Sequence, residues 1–148
     1  MTHALQPMHP DAIARVAELE RLMLAQPQTE IETLHVLHAG MYARTIAIPA
    51  GTALTGALVK VPTMLVVAGN VLVSRGDEEA LHIVGASVVP AAAGRKTAFL
   101  AYEDTVVTML FPTDANTVAA AEEEFTDDHE RLMSRADPER NTIIITGE

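Results

Sequence analysis

Cysteine and tryptophan are absent from this 148-residue sequence, which holds only two tyrosines and three phenylalanines. Without cysteine, the chain can form no disulfide framework, no zinc–thiolate site and no thiol nucleophile. Long apolar runs are missing too, because glycine and proline interrupt every run at about strand length. Spanning a bilayer takes about 20 apolar residues, and the first residues lack the basic and apolar regions of a signal peptide. We therefore expect no membrane contact.

Positive charge is also scarce. Ten Lys and Arg stand against twenty Asp and Glu, which gives a formal net charge of −10. Nucleic-acid binding needs clustered Lys and Arg to contact phosphates, so we expect no nucleic-acid partner. The imbalance lies at the two ends, because residues 34–113 carry five basic and five acidic side chains. With 49% apolar residues, the chain can bury a core without disulfides.

Apolar periodicity divides the chain into an N-terminal arm (1–32), a middle segment (33–113) and a C-terminal segment (114–148). The arm contains a predicted helix over residues 10–26, with Pro10 in its first turn and an apolar stripe on one face. In the middle segment, short runs rich in Val, Ile, Leu and Thr alternate with turn residues, which is typical of a sandwich, jelly roll or barrel. The predicted strands are 33–37, 42–48, 53–59, 63–68, 71–75, 79–84, 86–89, 97–102 and 105–111.

The C-terminal segment combines an acidic helix with a short β-like end. The pattern predicts one helix over residues 114–136, with one apolar face and with Glu122 and its acidic neighbours in solvent. Pro138 ends it, and residues 142–146 follow. Consecutive isoleucines on an exposed tail would promote aggregation, so we expect this tail to contact its own barrel or a neighbouring subunit. The predicted assembly contacts are Val16, Leu19, Met23, Phe125, Leu132, Ile143, Ile144 and Ile145.

Several separated blocks resemble a family of short cupin-like proteins that bacteriophages and prophages often encode. The resemblance covers about residues 24–113 and implies a mainly β fold: a single cupin-like jelly-roll barrel with the N-terminal helix, the acidic helix and a short terminal strand attached. The matching residues keep the family's order and spacing. They are 27–28, His35, 40–44, 48–52, 55–56, Lys60, 94–96 and 103–105.

The departures from that family concern its metal site. The resemblance implies one histidine just before Lys60, a second four positions after the first, and a third at the end of the strand that follows residues 103–105. Val59, Thr63 and Phe111 occupy these places. Valine and phenylalanine offer no lone pair, and a threonine hydroxyl is a weak ligand for transition metals. We therefore expect no metal and no other cofactor, and a dry, packed barrel interior.

Other polar residues suggest no catalytic constellation. His35 and His38 point to opposite faces of one predicted strand, and His82 and His129 are isolated, so we interpret each as structural or surface-exposed. Arg44 could anchor a carboxylate ligand or clamp a neighbouring strand, and we favour the clamp. We interpret residues 94–96 as a turn with an exposed basic pair. The candidate ligand or interface contacts are Tyr42, Arg44, Lys60 and Tyr102.

Three functions are compatible with these features. The first is a non-enzymatic structural or assembly protein of a bacteriophage particle, either a capsid decoration protein or a tail or neck component. It would associate with itself and with other virion proteins, in the virion or in the host cytoplasm before assembly. The second is a metal-free cupin that binds a small molecule or acts as a sensor. The third, a cupin metalloenzyme, ranks last, so we predict that the protein is not an enzyme.

Overall fold

The computed structural model describes residues 4–147, so residues 1–3 and 148 of the two predicted end segments lie outside it. The chain is mainly β, as predicted. The strands are β1 (Thr33–His38), β2 (Met41–Ile48), β3 (Ala53–Thr55), β4 (Thr63–Arg75), β5 (Glu78–Ala91), β6 (Ala98–Ala101), β7 (Thr105–Pro112) and β8 (Asn141–Ile145). The α-helices are α1 (Pro10–Leu24), α2 (Val118–Phe125) and α3 (Met133–Ala136), and single 3-10 turns form at His129–Arg131 and Pro138–Arg140.

One curled sheet contains all the named strands, in the order β3-β6-β4-β7-β2-β1-β8, with β5 paired to β4. Along β1, β4 and β7, buried and accessible residues alternate, as a sheet with one covered face requires. The inward residues form the core. Its fully buried apolar members include Tyr42, Ile48, Val67, Val71 and Val89.

The long β4–β5 hairpin bends in its middle, where we predicted turns. Gly69 and Gly85 lie opposite each other in the register and both have positive φ, 152° and 85°. These conformations are cheap for glycine, so both strands bend without ending. On one side of the bend β4 pairs with β7, and on the other it pairs with β6. The two predicted strand breaks at these glycines were therefore wrong.

Helix α1 lies along the barrel and ends two residues earlier than predicted. His9 caps it, because the His9 Nδ1 accepts a hydrogen bond from the Asp11 amide at 3.1 Å. Ala12 and Val16 are buried, and Arg15 pairs with Asp77 at the tip of the β4–β5 hairpin. Among the residues that the structure describes, no helix has the length and apolar character needed to cross a bilayer.

The predicted helix over residues 114–136 is in fact interrupted. Helix α2 ends at Phe125, and Thr126 is extended and fully buried. The Lys60 amide donates to the Phe125 carbonyl at 2.8 Å, so the barrel satisfies a carbonyl that a longer helix would have used. The Thr126 hydroxyl accepts from the Asp128 amide and starts a new turn. Tertiary contacts therefore override the helical periodicity.

Candidate functional site

A cavity of about 490 Å³ opens between the inner face of the sheet and the segments that cross it. The C-terminal end of α1, residues 26–31 and residues 128–133 contribute to its rim. Its walls are mainly aliphatic and aromatic, which is typical of pockets for small organic molecules. The apolar side chains that the sheet contributes include Ile46, Leu65, Phe99, Val107 and Met109.

This cavity contradicts the expectation of a fully packed interior. Val59 is buried but lies in the cavity wall, so it does not fill the space. Phe111 behaves as expected: it packs edge-on against Tyr42 and Phe125, with ring centroids 5.6 and 6.1 Å away. The prediction of a packed interior was wrong around Val59, because the segments that cross the open side of the barrel leave a cavity next to this side chain.

The residues at the expected ligand positions do not fit a metal ion. Val59 and Phe111 present only hydrocarbon, and the Thr63 hydroxyl accepts a hydrogen bond from the Arg95 Nη2 at 2.7 Å. A guanidinium at that distance would repel a cation. Within residues 4–147, no group of three or more His, Asp or Glu side chains is arranged to hold a metal.

Arg95 and Lys96 are both buried, at 3% and 6% exposure, so the predicted exposed basic pair was wrong. Both lie in the cavity wall. The Lys96 Nζ donates to the Gly56 carbonyl at 2.8 Å and pairs with Glu20 of α1 at 2.7 Å. Arg95 donates from Nη1 to the Ala92 carbonyl at 2.7 Å and from Nη2 to Thr63. Burial lowers the pKa of Arg95 to about 10, which still leaves it charged at neutral pH.

A second polar cluster closes the side of the barrel beside β1. The Asn141 amide nitrogen donates to the Ser134 carbonyl at 2.7 Å, so its oxygen faces the His35 Nε2 at 3.0 Å. Nε2 must then carry the proton, and the His35 Nδ1 accepts from the Tyr42 hydroxyl at 2.7 Å. Burial lowers the pKa of His35, with the charge of Arg44 acting in the same direction. The interpretation of His35 as structural fits this position.

Arg44 links this cluster to the C-terminal segment. Its Nη1 donates to Glu122 at 3.0 Å and its Nη2 to the Ser134 hydroxyl at 3.1 Å, while its guanidinium carbon lies 5.6 Å from the centre of the Phe125 ring. Arg135 donates to the other oxygen of Glu122 at 2.9 Å. Arg44 therefore clamps α2 and α3 onto β2, and it also lies in the cavity wall.

Glu122, predicted to be in solvent, is only 2% exposed. Burial by itself would raise the pKa of Glu122. The hydrogen bonds from Ser134 and Arg135, together with the charge of Arg44, outweigh it and lower this pKa. The helical pattern placed Glu122 among acidic neighbours, and only the arginines that fold against it explain its burial.

The other candidate contacts lie away from the cavity wall. Tyr42 is fully buried beneath it, in the cluster beside β1. Lys60 is exposed and pairs with Asp127 at 2.6 Å. Tyr102 is half exposed and packs edge-on against His82, with ring centroids 5.7 Å apart. Of the four candidates, the structure brings only Arg44 to the cavity.

The predicted assembly contacts divide into two groups. Val16, Phe125 and Leu132 are buried within the chain, and Met23 lies in the cavity wall, so these four are already covered or facing inward. The tail contacts its own barrel, because β8 pairs in parallel with β1. The exposed members of the set are Leu19, Ile143, Ile144 and Ile145.

Comparison with solved structures identifies the architecture. Ectoine synthase from P. lautus superposes with a TM-score of 0.51 at 16% identity, over 68% of this chain and 76% of that chain. The fold is a cupin-like jelly roll. KdgF from Halomonas sp. (TM-score 0.48, 18% identity, 61% and 86% covered) and a cupin-2 domain protein from Shewanella frigidimarina (0.44, 8%, 64% and 91%) are also similar. Identities this low show the fold alone, and no family model or curated protein matches the chain.

Proposed function

We propose that this cupin-like protein binds a small organic molecule in the barrel cavity, without a metal and without catalysing a reaction. The observation that carries the proposal is the cavity itself. Its volume of about 490 Å³ lies within the range of roughly 300–1,000 Å³ typical of ligand sites. Its apolar walls with a few buried polar groups would give affinity and orientation respectively.

The side chains present support binding more than chemistry. The expected ligand positions hold Val59, Thr63 and Phe111, which provide no ligand set for a transition metal. The carboxylate nearest the cavity on α1, Glu20, is paired with Lys96. Arg44 is engaged by Glu122. No unpaired carboxylate and imidazole converge on the cavity within residues 4–147 to act as a general acid and base.

A thermal-shift screen of a metabolite library against the full chain tests this proposal, with a variant that fills the cavity as the specificity control. Val107→Phe places a larger side chain in the cavity wall, whereas Val106→Phe makes the same change on the outer face of β7. Hits should stabilise the wild type and V106F but not V107F. A screen with no hits, or hits that stabilise V107F equally, would overturn the proposal.

The second candidate function is assembly in a bacteriophage particle, with the protein bound to itself and to other virion proteins. The observation that favours it is an edge strand: β8 ends the sheet, and Ile143, Ile144 and Ile145 are each about half exposed. Exposed apolar edge strands readily pair with another chain. The phage-type resemblance points the same way and would place the protein in the virion, or in the host cytoplasm before assembly.

Mass spectrometry of purified particles tests this second candidate, because a decoration or tail protein should be present at a symmetry-related copy number. Light scattering of the purified chain tests the edge strand itself. Ile144→Lys should reduce self-association, whereas Val84→Lys, at an exposed site on β5, should not. Absence from particles together with a monomeric wild type would remove this candidate.

A further inference from the structure

The cavity wall has the opposite charge sign to the rest of the chain. Four cationic and two anionic side chains lie in it, a formal net charge of +2, whereas the whole chain carries −10. A cleft lined by charge of one sign attracts ligands of the opposite sign, so this wall favours an anionic ligand over a cationic one. The six charged residues of the wall are Glu20, Arg44, Arg95, Lys96, Asp128 and Arg131.

Pairing within the fold accounts for part of this charge. Lys96 and Glu20 neutralise each other. Arg44 shares Glu122 with Arg135, so that trio keeps one positive charge. Neither pairing neutralises the charge of Arg95, which donates only to Ala92 and Thr63.

Arg95 differs from the other Lys and Arg side chains because it is buried without a carboxylate partner among the described residues. Seven of the ten Lys and Arg form salt bridges with carboxylates within residues 4–147. Of the other three, Arg75 and Arg131 are partly or largely exposed, and Arg95 is 3% exposed. Its two hydrogen bonds go to neutral oxygens, those of Ala92 and Thr63. A guanidinium has five N–H donors, so three of those of Arg95 have no partner among the described residues.

A buried charge without a counter-charge costs several kcal/mol, so such groups are normally paired. The hydrogen bonds to Ala92 and Thr63 hold the Arg95 guanidinium in the cavity wall, so its charge is fixed there. A guanidinium matches a carboxylate in shape and can bind it through two parallel hydrogen bonds.

We propose that the cavity binds a small organic acid whose single carboxylate pairs with Arg95 and whose apolar body lies against Leu65, Phe99 and Val107. This inference rests on the proposed small-molecule function and names the class of ligand. One carboxylate matches one unpaired buried guanidinium. The aliphatic and aromatic walls favour a hydrocarbon body over a sugar or a polyphosphate.

Calorimetric titration of the full chain at pH 7 tests the inference with three probes: octanoate, 1-octanol and inorganic phosphate. Octanoate and 1-octanol share the alkyl chain and differ in charge, so their ratio measures the carboxylate. Charge-assisted hydrogen bonds are stronger than neutral ones, so octanoate should bind at least tenfold more tightly than 1-octanol. Phosphate, which lacks an apolar body, should bind at least tenfold more weakly than octanoate.

Arg95→Met removes the charge and keeps an unbranched apolar side chain. It should weaken octanoate binding at least tenfold and leave 1-octanol unchanged. Arg75→Met is the matched control, because Arg75 also lacks a carboxylate partner among the described residues but lies outside the cavity wall. It should change neither affinity. If R95M does not fold, the wild-type ratio of octanoate to 1-octanol decides alone.

The failures of the two proposals are distinguishable. Equal binding of octanoate and 1-octanol overturns the carboxylate inference but leaves cavity binding intact. Phosphate binding as tight as octanoate binding overturns the organic-acid class. If neither octanoate nor 1-octanol binds, the inference is overturned, and the library screen with V106F and V107F decides the proposed function separately.

Discussion

Replacing Glu122 with glutamine removes the one negative charge that three donors share in the clamp between the barrel and the C-terminal segment. In the folded chain, this carboxylate accepts from Arg44 at 3.0 Å, Arg135 at 2.9 Å and Ser134 at 2.5 Å. Glutamine keeps the size and one acceptor oxygen. It leaves Arg44 buried without a counter-charge and directs an amide N–H₂ group toward a donor.

Removing one partner from a buried ion pair costs about 3–5 kcal/mol. Arg135 is partly exposed and can recover hydration, and glutamine still accepts one hydrogen bond, so we expect the lower end, about 3 kcal/mol. For a domain of this size, each kcal/mol lowers the melting temperature by about 2–4 °C. The expected decrease for E122Q is therefore about 6–12 °C.

Urea unfolding followed by circular dichroism measures the change in the free energy of unfolding, because the chain has no tryptophan to report unfolding by fluorescence. Glu123→Gln is the matched control: the adjacent carboxylate is exposed, so its loss should change the free energy of unfolding by less than about 0.5 kcal/mol. A double-mutant cycle with Arg44→Met should show strong coupling to Glu122. If E122Q unfolds within about 0.5 kcal/mol of the wild type, the clamp does not stabilise the fold.

Three further predictions concern pH and packing. The fold lowers the pKa of Glu122, so the ionised carboxylate stabilises the folded chain at any pH above its ordinary pKa, near 4.5. This stabilisation is lost as the pH falls through the lower pKa of the folded state. In urea titrations from pH 7 to pH 3, E122Q should not show this loss. Gly69→Ala should lower the free energy of unfolding by more than about 3 kcal/mol, because the new methyl group would lie 2.7 Å from a backbone atom of β7. The matched variant Gly85→Ala meets open space and should lower it by about 1 kcal/mol. Equal losses in urea unfolding would contradict this close approach. Tyr42→Phe should cost about 1–3 kcal/mol, because the buried His35 Nδ1 loses its donor, and an unchanged midpoint in urea would show that this hydrogen bond contributes nothing.

Local patterns predicted most of the strands. Strand alternation and turn residues placed β1, β2 and β7 to within one residue at each end. These features depend on neighbours in the chain, so the sequence contains the whole signal. The bend at Gly69 was wrongly predicted to be a turn, because the local sequence around a glycine is similar in a turn and in a bent strand.

The candidate site could be predicted only in part. The resemblance to cupin-like proteins included residues 94–96, which marked the position of Arg95 without its role. Whether a basic residue next to a glycine turn is exposed or buried depends on what folds over it. Arg95 is buried because the segment before β4 and the N-terminal residues near Ala92 close around it. The same reason explains why Glu122 is buried while Glu123 beside it is exposed.

The sequence by itself determined that the chain is a mainly β domain with a helix on either side, since strand and helix periodicities and turn residues act over a few residues. Through the cupin resemblance, it also predicted that Val59, Thr63 and Phe111 replace metal ligands, and this stays a prediction. The tertiary structure decided that the interior keeps a cavity and that, among the described residues, Arg95 is the buried cation without a carboxylate partner. Those properties depend on partners far apart in the chain, such as Arg44 and Glu122, which are 78 residues apart. Only the closed fold brings such partners together and leaves Arg95 without one among the described residues.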